Sequence, residues 1–123
     1  MTEDTHADRR LDVSEIGLGG GFDQFDLPMI ETTLRQALQR LGALRGRGVE
    51  TELSVRDRDN RGMKTTLEVW VHGLPKIVAT SDQPDLRDAL NEIGTRTVVQ
   101  LDEALTRREP KSNRGRRDTI REP

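Results

Sequence analysis

The chain has 123 residues, of which 34% are charged and 32% hydrophobic, with a formal net charge of −2. That composition suits one domain with a modest aliphatic core, since the aromatic residues are Phe22, Phe25 and Trp70 alone. With no cysteine, disulfides, thiolate metal sites and cysteine nucleophiles are excluded, and no apolar run approaches the roughly 20 residues of a membrane span.

The N-terminus is polar and acidic, unlike a signal peptide, so a soluble cytoplasmic protein is expected. Residues 1–26 carry seven acids against two arginines, which is acidic for their length. Residues 1–10 have no apolar anchor and are expected to be disordered. Leu11, Val13 and Ile16 make a weak strand, broken by Gly17 and by Gly19-Gly20-Gly21, which we read as a flexible strand-to-helix turn. Asp26 can cap a following helix whose first turn contains Pro28. Ile30, Leu34, Ala37/Leu38 and Leu41 then form one face of that helix, with Arg35, Arg40, Arg45 and Arg47 outside the stripe.

From Val49 the period becomes two. Val49, Thr51, Leu53 and Val55 alternate with Glu50, Glu52, Ser54 and Arg56, as in a strand with one buried face. Residues 57–62 have the turn chemistry of a hairpin loop, and a return strand buries Thr65, Leu67, Val69 and Val71. Gly73-Leu74-Pro75 turns the chain into a fourth strand, 76–80. A long helix over 81–108 follows, with Asp82 as its cap and Pro110 as its stop. Leu86, Ala89/Leu90, Ile93, Thr97, Leu101 and Ala104/Leu105 give it one apolar stripe. The tail after Pro110 holds five basic residues against two acids. The predicted fold is α+β, in the order β-α-β-β-β-α, with two helices packed on one face of a four-stranded sheet. The domain spans 11–109, and 110–123 is expected to be a basic disordered tail.

Candidate chemistry is sparse. The glycine run sits where a phosphate cradle would be, yet no Lys-Ser/Thr pair follows and Asp23 and Asp26 would repel a phosphate. His72 lies beside Trp70 with Glu68 as the one nearby carboxylate on its strand face, a poor general base. His6 and His72 lack metal-ligand spacing, and no cofactor or metal is expected. Trp70 could stack on a base, or pack beneath a loop or an edge helix, which is the preferred reading. No arrangement of acids, Ser/His/Asp or metal ligands stands out, so a binding protein is expected rather than an enzyme. The arginines remain: a guanidinium forks phosphate oxygens well, and two adjacent helices could present a shared basic strip. On pattern alone, solvated helix faces are the preferred reading, since Glu92, Asp102, Glu103 and Glu109 lie on the same long helix.

In element order the stretch from Leu11 to Arg108 resembles the ribosome hibernation-promoting factor family, also called ribosome-associated inhibitor A. The likeness rests on Val69-Trp70-Val71-His72-Gly73, then Lys76-Ile77-Val78-Ala79, then Asp82 to Asp85, Leu86, Ala89 and Leu90, and on through Arg96, Leu101, Arg107 and Arg108. The resemblance implies a fold similar to double-stranded-RNA-binding domains. It also implies binding to the small ribosomal subunit in the tRNA and mRNA channel, with basic helix faces meeting rRNA phosphates. Arg40, Arg96, Arg107 and Arg108 fall at positions that are basic in the family. Arg35, Arg45, Arg47, Lys111 and Arg114 join them as candidates on charge alone. The run Ala37-Leu38-Gln39-Arg40-Leu41 keeps only the second of two basic positions frequent in the family, and Arg87 replaces what is often an aromatic or aliphatic residue. The chain ends before the C-terminal dimerisation domain of the long form, which implies a short-form member or a divergent paralogue. A monomer is expected, although the pattern leaves the oligomeric state open. A protein-interaction module that kept the fold and lost the RNA surface, and a generic double-stranded-RNA binder, are the competing readings.

Overall fold

The computed structural model describes residues 10–114, with side chains as far as Arg107. Expectations for the first nine and last nine residues therefore lie outside the described residues. The elements are β1 (Gly17–Leu18), α1 (Leu27–Thr33), α2 (Arg35–Ala43), β2 (Val49–Arg56), β3 (Lys64–Val71), β4 (Ile77–Ser81) and α3 (Leu86–Arg114), with short 3-10 turns at Val13–Glu15, Gln24–Asp26 and Arg45–Arg47. The strands lie in the order β1-β2-β3-β4, β1 parallel to β2 and the other two pairs antiparallel. The fold is the expected α+β arrangement, with the helices on one face of a mixed sheet.

The alternation in β2 and β3 does what its period requires. Leu53, Val55, Thr65, Leu67, Val69 and Val71 are buried under the helices, together with Ile30, Leu34, Leu38 and Leu41 from α1–α2 and Ala89, Leu90, Ile93, Thr97 and Leu101 from α3. Asp57 and Asp59 adopt positive φ in the hairpin loop, a conformation that aspartate tolerates better than most residues, and Gly62 completes the turn at φ 85°.

Several local expectations are corrected. The residues Leu11, Val13 and Ile16 form no strand; the strand is Gly17–Leu18, and the glycine run extends it. The Gly19 amide donates to the Leu53 carbonyl at 2.7 Å and the Val55 amide to the Gly20 carbonyl at 2.9 Å. This is a close-packed path rather than a flexible turn: a Cβ on Gly17 would stand 2.5 Å from the Thr51 carbonyl oxygen, and one on Gly21 2.3 Å from that of Val55. The first helix is broken at Leu34, whose φ of −102° and ψ of 18° separate α1 from α2. The break lies where α3 crosses: a Cβ on Gly94 would come within 3.2 Å of the Thr33 carbonyl oxygen and 3.3 Å of Leu34 Cδ2. Two features meet at the interruption: the packing of Gly94, and the Thr33 hydroxyl, which donates back to the Met29 and Ile30 carbonyls at 2.7 and 3.3 Å.

Of the two predicted caps, one keeps its position without its side-chain bond and the other moves. Asp26 makes no side-chain cap bond to α1; its carboxylate is used elsewhere, as described below. At the long helix the cap is Asp85, not Asp82: Asp85 Oδ1 accepts from the Asp88 amide at 3.0 Å, and the Ala89 amide donates to the Asp85 carbonyl. Nor does Pro110 stop α3, which runs on to Arg114. Proline's fixed φ is itself helical, so an established helix can continue past it with the loss of one backbone bond.

Candidate nucleic-acid interface

Helices α2 and α3 run parallel. Leu34 at the start of α2 meets Gly94, and Arg40 one and a half turns later pairs with Asp102. Both C-termini consequently point towards the same end of the sheet, the end where α2 feeds through Arg45–Arg47 into β2 and where β3 finishes. The negative ends of two helix dipoles favour cations there. Arg40, Arg45, Arg47 and Arg107 gather towards that end. Arg35 stands at the opposite end of α2, and Arg96 lies on the far flank of α3, over β4. The side chains of Arg108, Lys111 and Arg114 lie outside the described residues.

Three of the candidate arginines are already engaged. Arg40 forms an ion pair and hydrogen bond with Asp102, bridging α2 to α3. Arg45 donates to both carboxylate oxygens of Glu15, at 3.2 and 3.3 Å, and to the Arg10 carbonyl at 2.9 Å, tying the N-terminal segment to the end of α2. Arg96 pairs with Glu92 one turn back at 3.0 Å and donates to the Thr80 carbonyl at 3.2 Å. Gln100, one turn further, donates to the Val78 carbonyl at 3.0 Å. Strand β4 is the sheet edge, so Arg96 and Gln100 occupy carbonyls that would otherwise be open to a new strand. Among the described residues, Arg35, Arg47 and Arg107 make no ion pair or hydrogen bond. Arg47 shares a shallow hollow with Trp70 and His72 at the end of the sheet, and Arg107 one with Asp102, Glu103 and Thr106.

Trp70 is not packed beneath a loop or helix. It stands 38% exposed on the sheet face opposite the helices, with the Lys76 ammonium 5.1 Å from its ring centre and Lys76 also paired to Glu68 at 3.1 Å. Two groups escaped the sequence reading. One is the pair of cations Arg56 and Lys64, directly opposite each other across β2 and β3 beside Ser54 and Thr66; strand alternation plus the hairpin register could have found it. The other is Arg58, which closes the hairpin onto Asp26 and for which no local signal exists. It donates to both Asp26 carboxylate oxygens at 2.9 Å and to the Gly21 carbonyl at 2.8 Å, and its guanidinium lies 5.6 Å from the Phe22 ring centre. The Arg58 bonds hold the Asp26 carboxyl below its usual range, against the opposing effect of burial, with help from the Asp23 amide. Phe25, 82% exposed, stands at the same end. Among the described residues no group of three or more His, Asp or Glu could hold a metal ion, and no helix is long and apolar enough to cross a membrane.

Compared with solved structures, the chain matches the N-terminal domain of Thermus thermophilus Protein Y. The chain has that domain's fold. The TM-score is 0.54 at 14% sequence identity, over 71% of this chain and 93% of the Protein Y domain. No family model and no curated protein sequence matches. An identity of 14% carries the fold of the Protein Y domain and not its contact residues.

Proposed function

We propose that this protein is a ribosome-associated factor of the hibernation type, acting in the cytoplasm by occupying the small subunit's tRNA and mRNA channel without chemistry. Two observations support the reading: the N-terminal domain of Thermus thermophilus Protein Y has the same fold as this chain, and the sequence itself resembles the ribosome hibernation-promoting factor family. The observation that carries the reading to a surface is the parallel run of α2 and α3, which turns two helix C-termini and their arginines towards one end. There Arg47 and Arg107 keep guanidinium groups that are uncommitted among the described residues, available for rRNA phosphates, with Arg108, Lys111 and Arg114 further along α3. Arg40 and Arg45 can join by exchanging an exposed carboxylate for a phosphate, a swap between partners of one charge. Arg35 and Arg96, away from that end, would contribute less.

The test is co-sedimentation of the full chain with small subunits at about 50 and 200 mM salt. Roughly three or four phosphate contacts predict a loss of affinity of about 10- to 100-fold between the two conditions. Binding that ignores salt, or that survives Arg47→Glu with Arg107→Glu, removes this surface from the interaction.

A second reading follows from the ion pairs of Arg40, Arg45 and Arg96: a protein-interaction module that kept the fold while its basic strip was neutralised from within. Recovery of a protein partner after nuclease treatment, with no pelleting on ribosomes, would favour it. Equal affinity for an arbitrary RNA duplex would instead favour a generic double-stranded-RNA binder.

A further inference from the structure

The sheet face opposite the helices carries an ordered ladder of cross-strand pairs. Reading along β2 and β3, the partners are Glu50 with Trp70, Glu52 with Glu68, Ser54 with Thr66, and Arg56 with Lys64. Two like-charged pairs thus flank a pair of hydroxyls. Like charges directly opposite on a sheet destabilise it when nothing is placed between them. Lys76 answers Glu68 from β4's end, which leaves Glu50 and Glu52 uncompensated at one end of the face, while Arg56 and Lys64 make no ion pair among the described residues at the other. The face is flush at its β1 side. Gly17 is the register partner of Glu52, and a Cβ on Gly19 would meet Glu52 Oε2 at 2.8 Å and Ser54 Cβ at 3.2 Å, so the glycines turn bare Cα atoms to this face. Trp70 and Val78, 42% exposed, supply apolar area beside the carboxylates.

We propose that this face binds a second copy of the same chain, face to face, about a two-fold axis that crosses the strands at the level of Ser54 and Thr66. The charge order selects that arrangement. An axis across the strands keeps β2 over β2 and β3 over β3 but reverses their direction. Arg56 then stands over the second copy's Glu52, and Lys64 over its Glu68, twice by symmetry. An axis along the strands would instead stack acid on acid and base on base. A nucleic-acid strand is a worse occupant, because a phosphate backbone laid along this face meets Glu52 and Glu50 within two to four residues of the cations. Three strands spaced ~4.8 Å apart over eight residues offer about 400 Å² per chain, below the size of a standard interface, so the dimer is weak and salt-sensitive. The helix face of the proposed ribosome contact stays uncovered, and the two proposals fail independently.

Sedimentation velocity of the full chain, from about 10 μM to 1 mM and at salt well below and well above physiological strength, reads the association without ribosomes. The expected result is a mass that climbs towards two chains at low salt and returns to one at high salt. Glu52→Lys with Glu68→Lys makes the four charges that flank Ser54 and Thr66 all basic, and Arg56→Glu with Lys64→Glu makes them all acidic. Each variant alone should remain a single chain, and an equimolar mixture should pair. A wild type that stays single throughout overturns the proposal. So do double variants that associate as the wild type does, or a mixture that fails to pair.

Discussion

Arg58 grips Asp26 by two bonds of 2.9 Å across 32 residues of sequence, one guanidinium nitrogen to each carboxylate oxygen. The contact locks the β2–β3 hairpin loop onto the chain entering α1, at the end of the molecule away from the helix C-termini. Asp26 is nine-tenths buried, and it also accepts from the Asp23 amide at 3.0 Å. Removing it strands a partly buried guanidinium. Asp26→Ala is therefore expected to cost about 2–3 kcal/mol in urea unfolding at neutral pH.

The same pair sets an acid dependence. The folded-state pKa of Asp26 is depressed below its unfolded value, so its contribution is fully present above about pH 4 and is lost as pH falls through the folded pKa. Arg58 stays charged throughout. Stability measured from pH 5 down to pH 2 should fall more steeply for the wild type than for Asp26→Asn, and the gap between the two should narrow with acid. A constant gap would place the acid sensitivity elsewhere.

Thr65 and Thr97 present the opposite situation. Both are fully buried, and neither hydroxyl has a partner within the described residues. A buried hydroxyl without a hydrogen bond is a net cost, and valine has nearly the same shape. Thr97→Val, on the α3 stripe, should raise stability by about 1 kcal/mol; its helix propensity is close to that of threonine. A loss on denaturant titration would mean the hydroxyl finds a water or a backbone carbonyl in solution.

Gly21 tests whether the glycine run is structure or slack. Its φ is +91° and an added Cβ would lie 2.3 Å from the Val55 carbonyl oxygen and 2.4 Å from Val55 Cγ1. Gly21→Ala should destabilise by several kcal/mol, roughly 2–4, because strained dihedrals and a backbone clash coincide. Gly46→Ala, where nothing lies within 4 Å of the new Cβ, is the control and should change little. Equal effects at both positions would return the run to a flexible turn.

The strands and the long helix were legible because burial on one face writes its period into the chain: β2, β3 and the α3 stripe fall where alternation and three-to-four spacing put them. What stayed hidden depends on contacts distant in sequence. Glycine disfavours strands in isolation, yet here the missing Cβ is what lets β1 lie against Thr51 and Val55. The break at Leu34 lies where Gly94 of another helix packs. Arg40 finds Asp102 62 residues away and Arg45 finds Glu15 30 away, and neither partner is implied by helix spacing. Only Arg96 with Glu92 follows the i, i+4 rule and could have been read as spoken for.

Those partners rank the arginines. A guanidinium that must first leave an acid gives up part of its gain on meeting phosphate, whereas an uncommitted one gives up only side-chain entropy. Arg47→Ala and Arg107→Ala are expected to weaken small-subunit binding by about 1 kcal/mol each, roughly fivefold, and to reduce the salt slope by close to one contact apiece. Arg96→Ala should leave binding within about twofold. Its effect should appear instead at the β4 edge, where the Thr80 carbonyl loses its donor, as a modest loss of stability and a greater tendency to aggregate on heating. Titrations of the three variants against small subunits at two salt concentrations, with light scattering on heating as the second readout, separate the roles. If Arg96→Ala cost more binding than Arg107→Ala, the β4 flank of α3, and not the shared C-terminal end of the helices, would be the surface that meets RNA.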